Sequence, residues 1–97
     1  MSDGGARLAE ALLPAIRAHL AVIDLGTNAI RLQVARVYED GSFRVIHDER
    51  EPVRLGEEVF RTGALSASAV ARALEVLKRF AGIARRHGAE RVRSVAT

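Results

Sequence analysis

Cysteine and tryptophan are absent from this 97-residue chain, lysine occurs once, proline twice, and the aromatic residues amount to one Tyr and three Phe. Each shortage excludes something. Without cysteine there is no disulfide framework, no thiolate nucleophile and no Cys-type zinc site, a composition consistent with a cytoplasmic protein in a reducing compartment. With so few aromatics, the core has to be aliphatic. The longest apolar run near the N-terminus, from Ala11 to Ile16, contains Pro14 and is far too short to span a bilayer, so no membrane partner is expected. Residues 1–10 carry mixed charge and no small-residue cleavage pattern follows the run, which argues against a secretory signal.

What remains is an ordinary globular composition, 48% hydrophobic and 28% charged, and wholesale disorder is not expected from it. A chain of this length is one small domain or part of a larger one, and buries only about 60 to 65% of its unfolded surface. The formal net charge is +3 with a pI near 10.5, carried by fourteen Arg and one Lys against twelve acids. That balance mildly favours anionic partners such as phosphates. It is also what a GC-rich coding sequence produces without any functional reason.

Residues 1–5 read as a flexible start, and Leu8, Leu12, Ile16 and Leu20 recur at helical spacing as an N-terminal extension of residues 1–19, which Pro14 interrupts. A continuous apolar strand is expected over Leu20–Leu25. Ile30, Leu32 and Val34 alternate with Arg31 and Gln33 as a half-buried strand does, and the parity slips at Ala35-Arg36-Val37, which implies a bulge. Asp40-Gly41 gives a turn, Phe43 to Glu51 a third strand, and the three should form an antiparallel meander that Pro52 ends. Val53 to Gly63 reads as a loop. Ser66 caps a long helix with the apolar stripe Val70, Leu74, Leu77, Ala81 and Ala84, and Gly88 stops it. Arg72, Arg79 and Arg86 belong to its solvated side, with Glu75 four residues before Arg79. Arg91 to Ala96 is a fourth strand, brought parallel to the first by a right-handed crossover. The order β-β-β-α-β makes an α/β fold with a mixed sheet and an open edge, and the isolated chain is expected to be unstable, self-associated or partly unfolded.

The most informative stretch is Ala21-Val22-Ile23-Asp24-Leu25-Gly26-Thr27-Asn28. An apolar strand delivers one carboxylate into a tight turn, where successive N–H groups can hold an anion and the Thr27 hydroxyl can add a donor. Asp24 is the candidate catalytic residue, able to orient a water or a hydrated metal ion. Gly26, Thr27 and Asn28 are candidate phosphate ligands. Arg31 and Arg54 are candidate charge-assisted contacts to the same group. The plain alternatives are an Asp that caps its own turn, a hairpin turn with no ligand, and solvent-facing arginines. His19, His47 and His87 show no metal-ligand spacing and read as structural, and Glu57 and Glu58 as a solvated acidic pair.

The motif Asp24-Leu25-Gly26-Thr27-Asn28-Ala29-Ile30-Arg31-Leu32 resembles the first phosphate loop of the actin, Hsp70 and sugar-kinase superfamily. Three further elements follow in order: Arg54-Leu55-Gly56, Thr62-Gly63-Ala64-Leu65-Ser66 and Val95-Ala96-Thr97. Together they are similar to the exopolyphosphatase and guanosine pentaphosphate phosphohydrolase (Ppx/GppA) family from about Ala21 to Thr97. Thr27 stands where that family commonly has Ser, and Ala29 where it has a second Ser, so one hydroxyl is kept and one is lost.

The resemblance implies a ribonuclease H-like subdomain, residues 20–97 being its first part. It implies hydrolysis of terminal phosphate from polyphosphate or guanosine pentaphosphate with magnesium, held by Asp24 directly or through water, in a protein that is a homodimer when intact. The family's catalytic Glu and second phosphate loop have no counterpart in these 97 residues, so this chain alone is expected to be inactive. Two other readings stay open: a piece of an actin-like ATPase or sugar or acetate kinase, and a non-catalytic half-domain that binds polyphosphate or RNA. Nucleic acid is not the expected partner, since the basic helix side reads as a solvated face.

Overall fold

The computed structural model describes residues 14–97. Leu8, Leu12 and most of the proposed N-terminal extension lie outside the described residues. Four strands and two helices follow: β1 Ile16–Leu25, β2 Ala29–Tyr38, β3 Phe43–Pro52, α1 Leu55–Thr62, α2 Ala67–Arg86 and β4 Arg91–Ala96.

The strands form one sheet in the order β3-β2-β1-β4. β1 runs antiparallel to β2, β2 antiparallel to β3, and β4 parallel to β1. The meander and the parallel crossover expected from the sequence are both present. β1 starts four residues earlier than the apolar pattern suggests, with Ile16 opposite Tyr38. Backbone pairing to β2 extends it through Arg17 and His19, where no hydrophobic run announces a strand. The parity slip in β2 corresponds to a register shift in the β2–β3 ladder, between Val34/His47 and Ala35/Val45. Gly41, at φ 85, closes the β2–β3 turn, and the Asp40 carboxylate accepts hydrogen bonds from the Ser42 N–H and hydroxyl.

One face of the sheet carries the core. Ala21, Ile23, Ile30, Leu32 and Val34 are buried against Phe80, Ile83 and Ala84 of α2, with Val53 in the same cluster. Alternation along β1 and β2 sends Val22, Asp24, Arg31 and Gln33 to the opposite face, which no helix covers among the described residues. All six residues of β4 are exposed.

Two expectations change. Val53 to Gly63 is not a plain loop, because Leu55–Thr62 is helical. Glu57 and Glu58 lie in its first turn and Arg61 in its last, both favourable to the helix dipole, and Gly63 ends it in the left-handed conformation. Two glycines and the lack of a capping side chain hide so short a helix. The α2 stripe is also rotated: Val70 and Leu74 are 43% and 50% exposed, while Ala69 and Phe80 are fully buried. Leu77 and Ala81 are half-buried and Ala84 is buried, as expected. Ser66 caps α2 by accepting from the Ala69 N–H.

The polar side of α2 is more than solvated. Arg79 binds Glu49 and Glu51 of β3, whereas Glu75 meets Lys78 at 3.8 Å. The Arg72 guanidinium donates to the Val53 carbonyl. These contacts fasten the helix across β3.

Candidate active site

β1 and β4 end side by side, Leu25 opposite Ala96, and ligands of α/β sheets gather beyond such carboxyl ends. Gly26 and Thr97 therefore meet where the parallel pair runs out, and the Thr97 N–H donates to the Leu25 carbonyl. The Thr97 hydroxyl donates to Asp24 Oδ1 at 3.1 Å. Asp24 Oδ2 has no hydrogen-bond partner among the described residues.

The turn from β1 to β2 is tight. Gly26 N–H donates to the Ala29 carbonyl at 2.9 Å, and a Cβ on Gly26 would lie 2.9 Å from that same oxygen. Only glycine fits without displacing the backbone. The turn is then tied down from outside by the start of α1. Val53 and Arg54 N–H groups both donate to the Asn28 carbonyl at 2.8 Å, and Gly56 N–H donates to the Thr27 carbonyl at 2.6 Å. Gly56 allows this approach, since a Cβ there would sit 3.0 Å from Thr27 Cβ. The Arg-Leu-Gly element thus has a mechanical role as a clamp on the Thr27–Asn28 turn. With both carbonyls engaged, the Thr27 and Asn28 N–H groups make no hydrogen bond among the described residues. A turn whose acceptors are used and whose donors are free is suited to an anion.

An open depression of about 420 Å³ is lined by Asp24, Gly26, Thr27, Asn28, Arg31 and Arg50, together with Ala29 and Thr97. Five of the six candidates named from the sequence meet there. Arg54 lines a neighbouring depression of about 680 Å³ together with Thr27, Asn28, Arg50 and Gly56. Arg31 is not a free cation. Its guanidinium makes a two-pronged bond to Asp48, Nε to Oδ1 at 2.9 Å and Nη2 to Oδ2 at 2.6 Å. That contact raises the Arg31 pKa and holds the Asp48 carboxyl below the usual carboxylate range, with Gln33 adding a hydrogen bond to Asp48.

Two contributors escaped the sequence reading. Arg50 faces the depression because β3 pairs it with Arg31, which β2 in turn pairs with Asp24. Only the register across two ladders reveals that row. Thr97 had a signal in the Val-Ala-Thr ending, but its partner lies 73 residues away in sequence. The histidines behave as structural groups: His19 accepts from Arg36 at 3.1 Å, and His47 meets Glu49 at 3.1 Å and the His87 ring at 5.1 Å. Glu58 accepts from the Ser66 N–H, which lowers its pKa and links α1 to the α2 cap.

Known proteins resemble this chain over most of its length. The model of the Ppx/GppA phosphatase family matches residues 33–97. Over 81 residues the chain is 43% identical to exopolyphosphatase 2 of Mycobacterium tuberculosis, covering 80% of this chain and 25% of that protein. It is 35% identical over 74 residues to a bifunctional 3-dehydroquinate synthase/phosphatase of Fusobacterium nucleatum, covering 72% of the chain and 11% of that protein. Among solved structures, the Ppx/GppA family member of Aquifex aeolicus superposes with a TM-score of 0.75 at 30% identity, over 81% of this chain and 26% of that one. An exopolyphosphatase from Cytophaga hutchinsonii gives 0.72 at 29%, over 80% and 25%. The chain spans about a quarter of the length of the exopolyphosphatases it matches.

Proposed function

The chain belongs to the Ppx/GppA phosphatase family, and from that premise we propose that it forms the first phosphate-binding part of a hydrolase that removes terminal phosphate from inorganic polyphosphate or guanosine pentaphosphate. The observation that carries the reading is the clamped turn: Thr27 and Asn28 spend their carbonyls on the start of α1 and keep their N–H groups for a ligand beside Asp24.

Phosphoryl transfer asks the protein mainly for positioning and for stabilisation of charge on the equatorial oxygens. The Thr27 and Asn28 N–H groups and the Thr27 hydroxyl would hold the terminal phosphate. Asp24, with Oδ1 fixed by Thr97, would use Oδ2 to orient the attacking water. Arg54 would meet charge beyond the turn, while Arg31, bound to Asp48, would set the local potential rather than grip the substrate.

Magnesium fits this site in a limited way. Among the described residues no group of three His, Cys, Asp or Glu could hold a metal ion, and Asp24 is the only carboxylate lining the depression. One carboxylate with waters and phosphate oxygens is a common way to hold magnesium. When bound, the ion would neutralise phosphate charge. With Asp24 committed to holding the ion and orienting the water, no other lining residue can take the water's proton, so the 97-residue chain is proposed to be inactive alone, with the base supplied by other residues of an intact protein.

The test is Asp24→Asn in the intact protein, assayed by phosphate release from polyphosphate and from guanosine pentaphosphate. Asn keeps an oxygen for Thr97 and removes the charge. A loss of about 10²-fold or more is expected, in line with removal of one preorganised electrostatic group. Unchanged release from both substrates would remove Asp24 from the chemistry.

A further inference from the structure

The arginines around the site divide into neutralised and unneutralised ones. Arg31 is bound by Asp48, and Arg79 by Glu49 and Glu51. Arg50 and Arg54 form no ion pair among the described residues. Arg50 stands in the row Asp24–Arg31–Arg50 on the open sheet face, about 10 Å from Asp24 between Cα atoms at two strand spacings. It lines both the depression that holds Asp24 and the one that holds Arg54. The other residues common to the two are Thr27 and Asn28. A chain leaving the Asp24 depression over the turn therefore enters a depression that Arg50 and Arg54 line together.

Arg54 is unusual for its place in the backbone. At φ 55 and ψ 38 it is the only non-glycine residue with positive φ among the described residues. It is also the N-cap of α1, without a side-chain capping bond. Asparagine suits both demands, since it tolerates the left-handed conformation and caps helices well. Arg54 meets neither demand and is held there by its N–H bond to Asn28, a strained placement of the kind that gathers at ligand sites. Glu57 is the single carboxylate lining that depression, so two guanidinium groups against one carboxylate leave a net charge of +1.

We infer that Arg50 and Arg54 form a second phosphate subsite, which takes the following phosphates of a linear condensed phosphate whose terminal group lies at the Thr27–Asn28 turn. The inference rests on the reading of that turn as the terminal site, and adds to it a direction for the chain and a basis for preferring condensed phosphate over orthophosphate. Each guanidinium would donate charge-assisted hydrogen bonds to phosphate oxygens.

The experiment measures binding of tripolyphosphate and of orthophosphate by calorimetry, at one fixed salt concentration, to the intact protein carrying Asp24→Asn so that ligand is not consumed. Arg50→Ala and Arg54→Asn are each expected to weaken tripolyphosphate about tenfold while orthophosphate stays within about twofold. Arg44→Ala, which removes the same charge at the far end of β3, is expected to change neither. Arg54→Asn should also hold or raise the thermal midpoint, which separates lost binding from lost folding. Equal weakening of both ligands, an effect no larger than that of Arg44→Ala, or no binding of tripolyphosphate at all overturns the subsite. Phosphate release that survives Asp24→Asn instead overturns the terminal-site reading; it is measured first, and the affinities are then compared by single-injection binding at times short against that release.

Discussion

Replacing Gly56 by alanine should separate the geometry of the turn from the stability of the fold. The added Cβ would stand 3.0 Å from Thr27 Cβ, 3.3 Å from Asn28 Oδ1 and 3.4 Å from the Thr27 carbonyl oxygen. Ordinary carbon contacts lie at about 3.5 to 4.0 Å, so the turn must retreat by about half an ångström and lengthen the 2.6 Å bond from the Gly56 N–H to Thr27. Overpacking costs about 1 to 3 kcal/mol in a rigid core, but Thr27 and Asn28 are exposed and can yield. Alanine also gains up to about 1 kcal/mol of helix propensity over glycine, less in a first turn. The two nearly cancel, and the net change in stability should stay within about 1 kcal/mol. Catalysis has no such compensation. A misplacement of about 1 Å costs roughly 10²-fold in rate, so half of that predicts about a tenfold fall in kcat/KM for polyphosphate in the intact protein. Gly41→Ala provides the contrast: nothing lies within 4 Å of its Cβ, φ is +85, and the turn is at the far end of the sheet. It should lose about 1 kcal/mol through backbone strain and keep its rate. Steady-state kinetics beside thermal unfolding decide the matter. Full activity in Gly56→Ala, or parallel losses in both variants, would refute the clamp.

Two more outcomes concern what holds the layers together. Phe80 is fully buried between α2 and the sheet, and Phe80→Ala should cost about 3 to 5 kcal/mol; in a urea titration of the intact protein, a midpoint equal to wild type would count against this placement of the core. Asp48 is held below its ordinary 3.8 by Arg31, and Glu49 below its ordinary 4.5 by Arg79 and then His47. A carboxyl depressed in the folded state contributes stability that is complete above the unfolded value and is lost as pH falls through the folded one. The thermal midpoint should therefore drop as pH goes below 4.5 and then 3.8, by an amount that shrinks in high salt because these pairs are exposed. A midpoint that rises on acidification would contradict the ion pairs.

Much of this architecture is local in origin and was legible residue by residue. The alternation Ile30, Leu32, Val34 identifies the buried face of β2, Asp40-Gly41 demands a turn, Ser66 announces the start of α2, and Asp24-Leu25-Gly26-Thr27-Asn28 identifies the turn at the end of β1. Each signal involves neighbours only, where sterics and short-range hydrogen bonding set the outcome. The face that α2 buries was less legible, because Val70 and Leu74 repeat with the same period as Ala73, Phe80 and Ala84. Both stripes satisfy a helix. The one that meets Ile30, Leu32 and Val34 is decided by how α2 docks, with Arg72 and Arg79 fastened to Val53, Glu49 and Glu51.

The candidate site divides in the same way. Its carboxylate and glycine turn were written in one continuous stretch of sequence. The clamp by Gly56, the fixing of Asp24 by Thr97, the neutralisation of Arg31 and the arrival of Arg50 were not. Each joins residues far apart in the chain through strand register and a parallel crossover. The sequence alone determined which chemistry can be offered, because that depends on side-chain identity. Tertiary structure decided which of the arginines keep their charge free for a ligand, because that depends on which carboxylates the sheet brings beside them.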